Sequence, residues 1–322
     1  MKAMILCAGF GERLMPLTTE LPKPAFPLAN RPSVWYTLRL LRSWGVDSVI
    51  VNAHHLPDVL TETVRACLPA GMEVEFSMEK EILGTGGGLS RVRGFFRDDE
   101  PFILINGDIL TDMDIAGAVE LHLARGAVVT MVLSADSRRK QLGEVKVDRE
   151  GRVRSILERP DNSGVLKPAF FTGIHVMSPR IFDYLADRPR SCLVRDCYCR
   201  MVDDGERLFG YFMDSYWSDI GTPRMYLAAN FDVLDGAYSP PFELPMESEE
   251  PAWATLEKPF LIGKETSLGR DVRVGPNAVV GGGAVLEDGC EIRESVVWPC
   301  ARVTAGSSLV RAVMGRTTIL KI

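Results

Sequence analysis

Along the first 234 residues, apolar positions come in short runs separated by stretches of helical spacing. The runs predict strands over Lys2–Cys7, Ser48–Ala53, Glu73–Ser77, Phe102–Asn106, Ala127–Leu133, Glu144–Val147 and Phe170–Val176. Between them, 3.6-residue periodicity predicts helices over Val34–Trp44, Pro57–Leu68, Gly88–Phe96 and Asp114–Arg125. In the first of these, Val34, Leu38, Leu41 and Trp44 share a face and Gly45 supplies the stop. Strands alternating with helices predict an α/β fold with a Rossmann-like, mostly parallel sheet.

The pattern changes after Asp235. Residues 236–259 hold five prolines and the acidic Glu247, Glu249 and Glu250, the composition of a linker. Beyond them the apolar period becomes six: Ile262, Leu268, Val274, Val280, Leu286, Ile292 and Trp298 are evenly spaced, and small or β-branched residues such as Val272, Ala278, Ala284 and Cys290 follow at the fourth place. A period of six fits neither helix nor ordinary strand and predicts a short parallel β-helix, one hexapeptide per face. Ser295–Pro299 echoes in Ala312–Gly315, about one coil later. The expected division is therefore 1–235, a linker over 236–259, and a β-helix over 260–322.

Composition narrows the function. The chain has 322 residues and a formal charge of −6, so nothing draws it broadly to nucleic acid or anionic membrane, and any phosphate must be gripped locally. Its 46% hydrophobic and 25% charged residues exclude wholesale disorder. Seven scattered cysteines without CxxC units suit neither a disulfide framework nor a zinc module, and reduced thiols in a cytoplasmic protein are expected. No stretch is long and apolar enough for a membrane helix.

The candidate chemistry begins at Ala8-Gly9-Phe10-Gly11-Glu12-Arg13-Leu14, directly after the first predicted strand. Two glycines allow close backbone approach and loop amides suit a phosphate, although a simple turn has the same pattern. It is neither a Walker loop nor a complete GxGxxG. Prolines on both sides stiffen the backbone at Lys23, so Arg13 and Lys23 together can neutralise a polyphosphate; alone, each is an ordinary surface cation. Asp108 ends a buried-type strand in Asn106-Gly107-Asp108, where open α/β sheets face their ligands, with Asp112 and Asp114 as turn or helix-cap candidates. Asp219, in Trp217-Ser218-Asp219-Ile220-Gly221-Thr222-Pro223, fits a metal ligand and a turn equally.

Together these residues resemble the sugar-1-phosphate nucleotidylyltransferases over almost the whole chain. The resemblance rests on AGxGxRLxPLT…PKP at Ala8–Pro24, LGTGG at Leu83–Gly87, NGD at 106–108, Glu158-Arg159-Pro160, TGI at Thr172–Ile174, WxDIGTP at Trp217–Pro223 and the hexapeptide tail. It implies a nucleotidyltransferase fold with a left-handed parallel β-helix, Mg²⁺ as cofactor, and an NTP and a sugar-1-phosphate as substrates. By the same resemblance Ala8, Gly9 and Gly11 line the nucleotide phosphates, Arg13 meets the β and γ groups, and Lys23 meets the α-phosphate and the sugar phosphate. Glu79 and Gly84 match the base-reading segment; Gly143, Glu158, Arg159, Thr172 and Gly173 match the sugar and sugar-phosphate contacts; Asp108 and Asp219 match the Mg²⁺ ligands.

The pattern departs at Glu12, where many relatives have Thr, at Arg159, where Lys is common, and at Thr172, where Asn is frequent. A carboxylate at Glu79 complements the paired donors of guanine, so GTP is expected, with UTP next and then dTTP or ATP; mannose-1-phosphate is the expected sugar, with heptose and amino-sugar phosphates as alternatives. A hexapeptide tail also belongs to acyltransferases, but those sites rely on a His base and no His follows His175. The tail is instead expected to mediate homo-oligomer contacts or regulation. A non-catalytic nucleotide-sugar sensor is the reading of another class, and the retention of Arg13, Lys23, Asp108 and Asp219 argues against it.

Overall fold

The computed structural model describes residues 1–96, 100–136, 144–157, 166–186 and 188–322. Its centre is a mixed sheet built outward from β1 (Lys2–Leu6). After a small hairpin of β2 (Pro27–Leu28) and β3 (Arg31–Pro32), the chain forms α1 (Ser33–Ser43), β4 (Ser48–Ala53), α2 (Pro57–Cys67) and β5 (Glu73–Met78). β4 lies parallel to β1, and β5 parallel to β4. This is the expected β-loop-α-β order, and the apolar face of α1 is fully buried at Val34, Leu38 and Leu41.

α3 runs from Gly84 to Arg91, followed by a 3₁₀ turn over Arg93–Phe95. The helix expected over Gly88–Phe96 thus starts four residues early, through a glycine run of poor helical propensity. Packing decides its start. The Gly86 amide donates to the Ser191 carbonyl at 2.9 Å and Thr85 Oγ1 accepts from Leu193 N at 2.9 Å. A Cβ at Gly87 would sit 2.0 Å from the Pro189 carbonyl oxygen, so a glycine-rich first turn is what lets that segment lie down.

β6 (Phe102–Asn106) pairs parallel to β1 on its other side, and the next element, β7 (Ile109–Thr111), leaves the sheet. After α4 (Ala116–Arg125) come β8 (Val129–Ser134), β9 (Glu144–Val147), β10 (Val153–Ile156) and the long β11 (Lys167–Met177). β11 runs antiparallel between β6 and β8 and extends beyond them to pair with β9. α5 (Cys199–Asp203) leads to β12 (Leu208–Phe212), parallel to β8. The sheet is therefore parallel from β5 through β6, with β11 and the outer β10 running the other way. β13 (Trp217–Asp219) pairs antiparallel with β7 in a separate ribbon, and α6 (Pro223–Leu234) follows, capped by Thr222 with Pro at its first position.

Residues 255–321 stack as three parallel faces. Thr255–Leu256 pairs with Arg273–Val274, then 291–293 and 308–310; Phe260–Ile262 pairs with 278–280, 295–297 and 312–314; Ser267–Leu268 pairs with 285–286 and 302–303. The expected inward row is buried at Ile262, Val274, Val280, Leu286, Ile292 and Trp298, while Leu268 is half-buried. The Ser295/Ala312 echo is the stacking of Val296 on Val313. The first strand of the stack, Thr255–Leu256, falls inside the stretch read as linker. The last strand, Ile319–Lys321, turns back antiparallel on 312–314 and covers that edge. Among the described residues no helix is long and apolar enough to cross a membrane.

Candidate active site

The carboxyl ends of β1, β4, β5 and β6 converge on a cavity of about 580 Å³. Lining residues include Ala8, Gly9, Gly11, Arg13, Lys23, Glu79, Gly84 and Asp108. Gly11 has a left-handed backbone (φ +66°) and a Cβ there would lie 2.8 Å from Thr18 Cγ2, which is why the turn demands glycine. Among the described residues other than its chain neighbours, no atom lies within 4 Å of a Cβ built on Gly9, so the loop leaves space at the place where a ligand would approach.

Lys23 opens a 3₁₀ turn between Pro22 and Pro24, and its Nζ contacts Asp108 Oδ2. Asp108 and Asp219, 111 residues apart in the chain, are brought together by the β7/β13 ribbon: Asp219 faces Ile109 in register, and the Ile220 amide donates to the Asp108 carbonyl at 3.1 Å. Asp219 Oδ1 accepts from the Gly221 amide at 3.0 Å, forming the turn that sequence alone also allowed. Burial and the charge of Asp108 push the Asp219 carboxyl above the ordinary carboxylate value, opposed by the Gly221 amide, Lys23 and Arg13. The Arg13 guanidinium lies beside Gly221, with Nη2 2.9 Å from a Cβ built there. Two carboxylates and two cations thus gather beside the cavity. Asp114 instead accepts from Ala116 N at 3.0 Å at the start of α4, and Asp112 accepts from Tyr216 N at 2.9 Å.

The residues present fit a hard divalent cation. Among the described residues no group of three or more His, Cys, Asp or Glu forms a closed cage. Two converging carboxylates suit Mg²⁺, which takes its other ligands from substrate phosphates and water.

Glu79, which also lines the cavity, is 5% exposed, with Oε1 accepting from Asn52 Nδ2 at 2.7 Å and Oε2 from Leu83 N at 2.9 Å. Asn52 Oδ1 in turn accepts from Cys7 N at 2.7 Å. Asn52 therefore ties the phosphate loop to the Glu79 segment, a role the sequence did not reveal: nothing local in Val51-Asn52-Ala53 marks it, and only the parallel pairing of β1, β4 and β5 brings its partners within reach. Residues 189–193, which support α3, likewise carry no local mark, and only tertiary packing brings them against that helix.

Thr172 and Gly173 lie in β11, next to Asn106 at the edge of the site. The Thr172 side chain is turned inward, 1% exposed, with its hydroxyl donating to the Val132 carbonyl at 2.8 Å. That bond uses the only side-chain donor of Thr172, and the Thr172 carbonyl accepts from Trp217 Nε1 at 2.9 Å. Gly173 (φ +82°) would carry a Cβ 2.5 Å from Asn106 Nδ2. Gly143, Glu158 and Arg159 lie outside the described residues. The four histidines take no visible part in the site chemistry: burial lowers His122 to about 4 and His175 to about 3, keeping both neutral, while His54 and His55 hydrogen-bond to backbone carbonyls.

A parallel sheet with a glycine loop, two cations and two carboxylates at its carboxyl edge is an arrangement for handling phosphates. Residues 2–236 match the nucleotidyl transferase family, and the chain belongs to that family. A UTP-glucose-1-phosphate uridylyltransferase of Synechocystis is 30% identical over the whole chain, which spans 89% of that relative. The mannose-1-phosphate guanylyltransferase of Mycobacterium tuberculosis is 30% identical over 73% of this chain and 65% of its own length. Among solved structures, HddC from Yersinia pseudotuberculosis shares the fold at a TM-score of 0.61 and 23% identity, covering 72% of this chain and 99% of its own. The protein is a sugar-1-phosphate nucleotidylyltransferase, an enzyme of nucleotide-sugar biosynthesis.

Proposed function

We propose that the enzyme uses Mg²⁺ to join GTP and mannose-1-phosphate into GDP-mannose and pyrophosphate. The observation that carries the reaction type is the convergence of Asp219, Asp108, Lys23 and Arg13 beside a cavity that Glu79 also lines. The sugar-phosphate oxygen attacks the α-phosphorus in line and the bond to the β-phosphate oxygen breaks; the nucleophile is already anionic, so no general base is required. Loop amides at Ala8–Gly11 and the Arg13 guanidinium bind the β- and γ-phosphates and take up the charge that builds on pyrophosphate. Lys23 bridges the α-phosphate and the incoming sugar phosphate, offsetting their mutual repulsion. Asp108 and Asp219 would hold Mg²⁺, which supplies Lewis-acid stabilisation of phosphoryl oxygens when bound. Gly143, Glu158, Arg159, Thr172 and Gly173 retain the sugar-side role that the resemblance implies.

For the base, each oxygen of Glu79 keeps one lone pair beyond its protein hydrogen bond, and two adjacent acceptors complement the N1–H and amino group of guanine. The second reading, UTP with glucose-1-phosphate, is favoured by the whole-chain similarity to the Synechocystis uridylyltransferase. The test crosses GTP, UTP, dTTP, ATP and CTP with mannose-, glucose-, N-acetylglucosamine- and heptose-1-phosphates, reading pyrophosphate release with Mg²⁺. The proposal expects the largest kcat/KM for GTP with mannose-1-phosphate, and a larger value for UTP with glucose-1-phosphate would replace it.

A further inference from the structure

We infer that the carboxy-terminal turn of the β-helix, Gly315–Thr318, braces the loop that carries Lys23, with Glu20 as the positioning residue; the inference rests on the catalytic reading of Lys23 above. Glu20 lies three residues before Lys23. Its Oε2 accepts from Arg316 N at 2.7 Å, and its Oε1 accepts from Thr317 N at 3.1 Å, Thr317 Oγ1 at 2.9 Å and Thr318 Oγ1 at 2.7 Å. All four partners are donors, which a carboxylate answers and an amide does not. A Cβ at Gly315 would stand 2.8 Å from Glu20 Oε1, so the turn closes directly on the carboxylate. The contact joins residues nearly 300 positions apart and is held in its place by the returning strand 319–321.

The other side of Lys23 is held by the same body. Phe26, three residues after Lys23, packs edge-on against Trp298 with ring centroids 4.8 Å apart. Trp298 Nε1 donates to the Tyr226 hydroxyl at 3.1 Å, and that hydroxyl donates to the Pro27 carbonyl. Further along, Asn30 Nδ2 donates to the Val280 carbonyl at 3.0 Å. From the sheet side, His55 reaches the Thr18 carbonyl at 2.6 Å. Lys23 therefore stands between two points fixed to the β-helix, and its ammonium is delivered to Asp108 from there. Releasing one point lets the cation wander from the place where the two substrates meet. Such displacement costs the transition state more than it costs nucleotide binding, which the Ala8–Arg13 loop carries.

The test is a double-mutant cycle on the full chain with Mg²⁺ and GTP plus mannose-1-phosphate, or UTP plus glucose-1-phosphate if that pair is the productive one. Glu20→Gln is expected to lower kcat by roughly 5- to 20-fold while moving the nucleotide KM by less than about 2-fold. In a Lys23→Ala background the same change is expected to cost less than about 2-fold, because the two residues act through one contact. A Glu20→Gln enzyme at wild-type rate, or losses that multiply in the double variant, would overturn the inference. A Lys23→Ala enzyme at wild-type rate would instead overturn the catalytic reading of Lys23. If Glu20→Gln does not fold, Thr318→Val and Thr318→Ser decide: the valine variant is expected to lose about 3-fold in kcat and the serine variant to regain it, and equal rates for both would overturn the brace.

Discussion

At the scale of single residues, the site is organised around a repulsion. Asp219 is held above its ordinary pKa by burial and by Asp108, so the folded state binds that proton more readily than the unfolded one. For a raised carboxylate the sign is fixed: without metal, stability falls as pH rises from the ordinary 3.8 through the raised value, and the loss persists at neutral pH. Asp219→Asn removes the repulsion while its carbonyl can still accept from the Gly221 amide. Its expected phenotype is split: turnover lower by roughly 100-fold or more, and a thermal midpoint in Mg²⁺-free buffer at pH 7 that rises by about 1–3 °C. Calorimetry alongside the pyrophosphate assay checks both, and a lower midpoint with retained turnover would contradict the assignment. The individual charges at Arg13, Lys23, Asp108 and Asp219 were legible in the sequence because each stands in a motif. What the motifs did not contain is the means of convergence. The β7/β13 ribbon that joins Asp108 to Asp219 consists of two three-residue strands, too short to leave a pattern.

At the scale of elements, legibility followed how far local preference and tertiary packing agreed. Ser48–Ala53 and Phe102–Asn106 were read with their observed bounds, since continuous apolar runs flanked by polar turns leave one solution. α3 was displaced because Gly84–Gly88 argue against helix locally, whereas the carbonyls of residues 189 and 191 require a surface without side chains. The parallel coils at the carboxy-terminal end were legible for the opposite reason: the stacking repeats, so each coil restates the rule. Gly281 shows its steric basis, since a Cβ there would lie 2.3 Å from Pro299 N in the next coil. Gly281→Val is therefore expected to cost about 2 kcal/mol or more, read as a lower urea midpoint. An unchanged midpoint would mean that the coils can separate locally without penalty.

At the scale of the whole molecule, the β-helix is part of the floor on which the Lys23 loop rests, through Glu20, Phe26 and Asn30. That connection was invisible in the sequence, where Glu20 is one acidic residue in a polar stretch and its donors lie at the far end of the chain. It has a pH signature of its own. Burial works to raise Glu20, but the donors from Thr318, Thr317 and Arg316 outweigh it and hold its carboxyl below the usual value. A lowered carboxylate stabilises fully above its unfolded value of 4.5 and loses that contribution as pH falls through the folded one. The thermal midpoints of wild type and Glu20→Gln should accordingly differ at pH 7 and draw together as pH falls below 4.5; a gap that stays constant would place the effect elsewhere than in the ionised clamp.

The most direct test of the central claim is phosphorus NMR of the enzyme with Mg²⁺, GTP and mannose-1-phosphate, repeated with UTP and glucose-1-phosphate. The account predicts a sugar-nucleotide diphosphate pair and pyrophosphate in equal amounts, appearing only when both substrates are present and vanishing in Asp219→Asn. Nucleotide that binds but leaves the spectrum unchanged in every combination would contradict it, and would make the convergent charges a binding site without chemistry.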